Sequence, residues 1–157
     1  MKLFSRLVFG LVSRAARNGL APESLPAGAA RDKQKSRRTG IRGETFAYWY
    51  LRRHGYTMIA RNFTVPGVKG EIDLIGYDGE ILAFVEVKTR TGDPELFGLP
   101  EQAVTPEKRR HLSRMARQFL AERRIPKARC RFDILAIESP SGRRPEVRLH
   151  KAAFADQ

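Results

Sequence analysis

Two β-type runs joined by Asp78-Gly79 constrain the fold of this chain most strongly. Glu71–Tyr77 precedes the dipeptide, and Glu80–Thr89 follows it. Asp-Gly between such runs is a preferred two-residue connection of an antiparallel hairpin. The sequence therefore predicts a β-hairpin with Asp78 and Gly79 as its turn residues.

The predicted register brings several charged side chains together. Asp73 would lie opposite Phe84, and Glu71 opposite Glu86. Because side chains alternate between the two faces of a strand, one face would carry all four charged groups: Glu71, Asp73, Glu86 and Lys88. Opposed carboxylates destabilise a sheet, so a divalent cation, a proton or the lysine is expected to compensate.

The cation alternative leads to a specific chemistry. Asp73 and Glu86, with the carbonyl of Val87, would bind Mg²⁺ or Mn²⁺, which take oxygen ligands and retain waters for a phosphate. Lys88 would orient the attacking water or neutralise the phosphate. The alternative is a solvated hairpin whose charged side chains are ordinary surface residues without a catalytic role. The apolar side chains expected on the same face argue against it: Ile75, Leu82 and Phe84.

The first helix is predicted over Ile41–His54, with Gly55 as its C-terminal cap. Its inward stripe follows helical spacing and consists of Glu44, Ala47, Tyr48 and Leu51. Glu44 is the exception, a carboxylate on the buried face, and we expect it to complete the metal site or to position a water. Glu71 is expected to be a supporting acid only.

The remaining pattern predicts an α/β fold. Thr105-Pro106-Glu107 has the composition of a helix start, and apolar spacing continues this helix to about Arg124. The other predicted elements are the strands Tyr56–Val65, Arg131–Glu138 and Glu146–His150, with loops at Gly92–Pro100 and Ser139–Pro145. The order is α-β-β-β-α-β-β, a mixed β-sheet flanked by helices.

The N-terminal third is expected to lie outside the folded domain. Residues 1–43 hold ten Lys or Arg and two Asp or Glu. Residues 21–38 are rich in Pro, Gly, Ala and charge, which is typical of a linker. We predict a basic, disordered or transiently helical extension over residues 1–38 and a domain over 39–157. A membrane-surface arm, a nucleic-acid arm and a cleaved signal remain alternatives.

A formal net charge of +13 favours a polyanionic partner, nucleic acid before an anionic membrane. The candidate phosphate contacts lie on the second helix: Lys108, Arg110, Arg114 and Arg117. A solvated basic face is the ordinary alternative. Trp49 and Tyr50 are expected to pack in the core rather than stack on bases. The single Cys130 allows no internal disulfide; we expect a buried thiol and a cytoplasmic protein without a spanning helix.

The motifs of this chain resemble those of the bacterial YraN family of uncharacterised proteins over about Thr39–Phe154. They are Gly43-Glu44, Gly70–Ile75, Phe84–Arg90, Phe97-Gly98, Ala103–Pro106 with Lys108, and Arg131–Asp133. The resemblance implies a restriction-endonuclease-like PD-(D/E)xK core similar to the archaeal Holliday-junction resolvases. It also implies metal and catalytic roles for Asp73, Glu86 and Lys88, with Glu44 assisting.

Together these features predict a metal-dependent endonuclease that hydrolyses DNA, branched or damaged DNA being one alternative. The second hypothesis is a non-catalytic nucleic-acid-binding module that keeps the nuclease fold. A homodimer is expected only by analogy with junction enzymes, which cut two strands symmetrically.

Overall fold

The computed structural model describes residues 7–14, 29–91, 104–139 and 145–155. Helix α1 comprises residues 7–14. The other elements, in chain order, are α2 (Ala29–Arg53), β1 (Thr57–Val65), β2 (Val68–Asp78), β3 (Ile81–Thr91), α3 (Pro106–Glu122), β4 (Cys130–Ser139) and β5 (Glu146–Phe154). From α2 onward this is the predicted order.

The five strands form one mixed sheet in the order β1-β2-β3-β4-β5. β3 and β4 are parallel, and the other neighbours are antiparallel. A parallel pair needs a crossover, which α3 supplies. One apolar cluster joins α3 to one side of the sheet, and a second joins α1 and α2 to the other side. The mixed α/β sheet flanked by helices is therefore confirmed.

The turn of the β2–β3 hairpin lies one residue later than predicted. Asp78 still belongs to β2 and pairs with Ile81, so Gly79 and Glu80 form the turn in place of Asp78-Gly79. Gly79 has φ +62°, the left-handed conformation that a hairpin turn of this kind requires at its first position. The predicted register is consequently wrong.

The register error leaves the faces of the strands unchanged. Phe84 pairs with Ile75 instead of Asp73, so each β2 residue meets a β3 residue two positions from the predicted one. A shift of two residues preserves the alternation. The predicted apolar face is confirmed, because the cluster beneath α3 contains Ile75, Leu82 and Phe84. Continued beyond Leu74 and Val85, the observed register would bring Asp73 opposite Glu86.

Helix α2 is longer than predicted at its start and ends where expected. It begins at Ala29 rather than Ile41, so residues 29–38, expected to be linker, are helical. At its end, Gly55 has φ +95°, and Tyr56 donates its backbone N–H to the Leu51 carbonyl at 3.1 Å. This is the hydrogen bond of a glycine-terminated helix, with both partners packed together.

Three further expectations need correction. Cys130 is exposed rather than buried, because it begins β4 before the strand enters the core. β5 continues past His150 to Phe154, and α3 ends at Glu122.

The predicted loops at residues 92–100 and 140–144 and the first part of the predicted linker lie outside the described residues. The division into an extension over 1–38 and a domain over 39–157 stays a prediction. Among the helices that the structure describes, none is long and apolar enough to cross a membrane.

Candidate active site

Strands β2 and β3 part at Asp73, and this carboxylate lies between them. The regular pairing of the two strands ends at Leu74 and Val85. Beyond it, Asp73 Oδ2 accepts the backbone N–H of Val87 at 2.6 Å. The Asp73 side chain thus accepts an N–H of β3 that a backbone carbonyl of β2 would accept in a regular strand pair.

The alternation of side chains in β2 is also interrupted at this point. Ile72 and Ile75 both contact the cluster beneath α3, whereas Leu74 contacts the cluster beneath α2. Strict alternation would put Ile72 on the same side as Leu74. Irregularities of this kind re-aim a side chain and are common beside active sites; here the re-aimed side chain is that of Asp73.

Glu86 is the buried carboxylate of the site, with 5% of its side chain exposed. Two lysines approach it. Lys88 Nζ lies 2.9 Å from Oε1, and Lys108 Nζ lies 3.3 Å from Oε2. The second contact is an ion pair without hydrogen-bond geometry, because Oε2 accepts no hydrogen bond from the described residues. Lys108, a candidate phosphate contact at the start of α3, therefore lies beside Glu86.

The pKa of the Asp73 carboxyl is raised to about 7. Burial is the largest cause, followed by the negative charge of Glu86; the charge of Glu44 adds a smaller increase. The hydrogen bond from Val87 and the charge of Lys108 act in the opposite direction. The carboxylates of Glu86 and Glu44 therefore both lie close enough to Asp73 to raise its pKa.

Glu44 owes its position to a close approach of α2 to β3. At Gly43, an added Cβ would lie 1.8 Å from Thr89 Oγ1, so only glycine permits the helix to pass this close. On the β1 side, Asn62 donates to Glu44 Oε2 at 2.8 Å. Sequence reasoning missed Asn62; its one available signal was a turn-type residue within a strand, and it indeed has φ +48°.

The donor set fits a divalent cation through Asp73 and Glu86. Glu86 Oε2 is a buried carboxylate oxygen without a hydrogen bond, and its neighbour Asp73 is a half-buried acid next to a second acid. Within the described part of the chain, no three His, Cys, Asp or Glu residues are grouped closely enough to hold a metal by themselves. Two carboxylates with waters is nevertheless the protein contribution that Mg²⁺ usually receives.

The other predicted site residues do not join this group. No hydrogen bond or ion pair among the described residues links Glu71 to Asp73 or Glu86. On α3, Arg110 is 63% exposed and pairs with Glu107 at 3.5 Å, while Arg114 and Arg117 are also exposed. This exposure agrees with the predicted basic face; whether it contacts nucleic acid stays a prediction.

Trp49 and Tyr50, expected in the core, are only half-buried.

A second polar network lies at the hairpin-turn end of the sheet, where it stabilises the fold. Asp133, fully buried, accepts from Arg131 Nε at 2.8 Å, from Tyr56 at 3.2 Å and from the Ala152 backbone at 2.9 Å. Arg131 also contacts Asp78 at 2.5 Å and holds the pKa of that carboxyl below its ordinary value. This network differs from the Asp73 site, because every Asp133 oxygen already has partners.

Comparison with known proteins places these residues in a family context. The model of the uncharacterised protein family UPF0102 matches residues 43–137. A UPF0102 protein of Koribacter versatilis is 38% identical over 156 residues, which covers 98% of this chain and 96% of its own. Another from Symbiobacterium thermophilum is 45% identical over 119 residues, 76% of this chain and 98% of its own. The matched range includes Glu44, Asp73, Glu86 and Lys88.

Proposed function

This chain belongs to the UPF0102 family, as its YraN-like motifs predict, and we propose that it is a metal-dependent endonuclease that hydrolyses DNA phosphodiester bonds. The observation that carries the proposal is the convergence of Asp73, Glu86 and Lys88 where β2 and β3 part, with Glu44 approaching from α2. A PD-(D/E)xK core is part of the same proposal, and it agrees with the mixed sheet between helices.

Asp73 and Glu86 are the proposed holders of Mg²⁺ or Mn²⁺, with the Val87 carbonyl as a further oxygen. A cation bound there would polarise the phosphodiester and lower the pKa of its water. Glu44 acts as a positioning residue, since Asn62 fixes its carboxylate beside Asp73. Lys88 and Lys108 supply the positive charge of the site.

Lys88 and Lys108 give the site two positive charges next to Glu86. Each side chain is about one-third exposed, at 30% and 32%, so each ammonium group is open to a phosphate. In the proposed reaction Lys88 donates hydrogen bonds to the phosphate oxygens or to the attacking water, where negative charge develops. Lys108 binds the neighbouring phosphate.

Cleavage of a substrate panel tests this function. Single-stranded, duplex and four-way-junction DNA, and RNA, are incubated with the purified chain in Mg²⁺ or Mn²⁺ and in EDTA. We expect metal-dependent cleavage of at least one DNA, reduced about 100-fold or more in Asp73→Ala and Lys88→Ala. Cleavage of no substrate, or equal cleavage by the variants, contradicts the proposal. Salt-sensitive DNA binding without cleavage would instead support the non-catalytic binding module.

The chain is proposed to act in the cytoplasm, as its single cysteine predicts. A homodimer is proposed by analogy; β1 and β5 are the outer strands of the sheet among the described residues.

A further inference from the structure

Two aromatic residues and two arginines form a surface beyond Glu44. Glu44, Tyr48 and Arg52 lie four residues apart on α2 and so follow one face of the helix. Trp49 is adjacent, and Arg61 reaches the same place from β1. We call Tyr48, Trp49, Arg52 and Arg61 the aromatic–arginine surface.

The guanidinium groups of this surface are held on the aromatic rings. Arg52 Cζ lies 5.2 Å from the ring centre of Trp49 and 5.7 Å from that of Tyr48. Arg61 Cζ lies 5.0 Å from the ring centre of Tyr48, and the two rings meet edge to face at 5.2 Å. Contacts at these distances are attractive, because a cation over a ring face interacts with its negative quadrupole.

Neither arginine is neutralised within the described residues. Arg52 donates to the Tyr48 hydroxyl at 3.4 Å, and Arg61 donates to Thr45 Oγ1 at 3.4 Å. Both acceptors are uncharged, and no ion pair of the described chain includes either arginine. Each guanidinium carries five N–H donors, so most of these donors remain for a ligand with anionic oxygens.

The aromatic–arginine surface adjoins the candidate active site. The acceptor of Arg61 is Thr45, the residue next to Glu44. Asn62, which follows Arg61, donates to Glu44 itself. From Glu44 to Arg52 the helix rises about 12 Å, so a strand that passes Glu44 would reach this surface within a few nucleotides.

We propose that the aromatic–arginine surface binds an unpaired DNA strand beside the bond that is cut, so that the substrate is DNA with a single-stranded segment at the site. This inference rests on the proposed function. Bases stack on aromatic rings and on guanidinium planes, and both kinds of group are present here. A regular duplex offers no free base faces along its length. The two uncompensated positive charges match the phosphates of the same strand.

The experiment uses Trp49, the single tryptophan of the chain, as its reporter. The full chain is titrated in EDTA, without cleavage, with an oligothymidylate, a duplex of equal length and an oligouridylate, while tryptophan fluorescence is followed. We expect oligothymidylate to quench the fluorescence, and to do so at lower concentration than either the duplex or the RNA. Arg52→Gln and Arg61→Gln should each weaken this binding about fivefold or more.

Arg129→Gln is the matched control. Arg129 is an exposed arginine just before β4, at the hairpin-turn end of the sheet, and its loss should change the affinity less than twofold. The proposal is overturned by unchanged fluorescence, by equal or stronger quenching with duplex or RNA, or by equal losses in the control. The titration needs no metal, so its outcome is independent of cleavage. If oligothymidylate quenches the fluorescence as expected but no substrate is cleaved, the proposed function is contradicted and the assignment of the aromatic–arginine surface stands.

Discussion

Asp73 is the residue on which the candidate site depends. Its carboxylate lies between two strands, accepts a backbone hydrogen bond at 2.6 Å and has a pKa raised to about 7. An acid with this environment is costly to the metal-free fold, because burial and Glu86 both disfavour its charged form. Such a cost is common where a group is kept for binding rather than for stability.

The first prediction concerns stability against pH in the absence of metal. The folded pKa of Asp73, about 7, exceeds its ordinary value of 3.8, so its ionisation penalises the folded state. The penalty is absent below pH 4, grows between pH 4 and 7, and is complete above 7. Asp73→Asn, which keeps an acceptor for Val87, should therefore stabilise the protein at pH 8 by at least about 1.4 kcal/mol, the equivalent of one pKa unit.

Urea unfolding in EDTA at pH 4.5 and pH 8 measures this effect. The stabilisation by Asp73→Asn should be clearly smaller at pH 4.5 than at pH 8. Equal stability of the wild type and Asp73→Asn at pH 8 would contradict the prediction, because the folded state would then carry the Asp73 charge without a penalty.

At the residue scale, the sequence predicted the grouping of the charged residues more accurately than the strand register that brings them together. Asp73, Glu86 and Lys88 could be found because alternation depends only on whether a register shift is even or odd. The observed shift was even, so Glu86 and Lys88 keep the predicted face of β3 despite the wrong turn, whereas the interrupted alternation of β2 re-aims Asp73. The parting of the strands at Asp73 could not be foreseen, since it depends on tertiary packing of Ile72 and Leu74 on opposite sides of the sheet.

At the scale of elements, the approach of α2 to β3 determines where Glu44 lies. Gly43 and Thr89 are in direct contact, with no room for a Cβ. The same helix contains Gly40, where an added Cβ would meet nothing within 4 Å. The two glycines therefore form a natural pair of test and control.

The second prediction is that Gly43→Ala displaces Glu44, whereas Gly40→Ala does not. Gly43→Ala should lower the free energy of unfolding by about 1–3 kcal/mol, the range for overpacking. Gly40→Ala should be neutral or stabilising by up to about 1 kcal/mol, because alanine favours a helix. Chemical denaturation of both variants makes the comparison.

Thr89→Ala provides a rescue, since it removes the Oγ1 atom that the methyl group added by Gly43→Ala would meet. The double variant should recover part of the stability lost in Gly43→Ala. Equal effects of the two glycine variants, or no recovery in the double variant, would contradict the contact between α2 and β3 as the cause.

Element ends were predictable where a local rule applies and not elsewhere. Gly55 and Thr105 carry clear capping signals, and both end or begin a helix as expected. The start of α2 at Ala29 had no such signal, because the residues before Gly40 are polar and show no apolar stripe. Their Lys, Arg, Gln and Ala content favours a helix by propensity alone, which the apolar pattern does not record.

At the scale of the whole molecule, α1 is part of the packed structure. Phe9 is 9% exposed and lies 5.3 Å from Phe46, ring centre to ring centre. The expectation of a disordered or transiently helical arm therefore needs correction for residues 7–14, which form a helix against α2. The sequence left a short amphipathic helix and a disordered arm open, because a short amphipathic run does not reveal its partner.

The third prediction tests this packing. Phe9→Ala should lower the free energy of unfolding by about 3 kcal/mol, the lower part of the range for a core phenylalanine. Leu11→Ala is the control in the same helix, because Leu11 is 62% exposed, and it should change stability by less than about 0.5 kcal/mol. Equal effects in thermal unfolding would mean that α1 is not docked through Phe9.

The central claim is that Asp73 and Glu86 together bind a divalent cation. Isothermal titration calorimetry with Mn²⁺ tests it on the wild type, on Glu86→Gln and on Glu80→Gln, which changes an exposed acid at the hairpin turn. We expect one Mn²⁺ per chain, bound equally by the wild type and Glu80→Gln and at least about tenfold more weakly by Glu86→Gln. No binding by the wild type, or equal binding by Glu86→Gln, would contradict the claim.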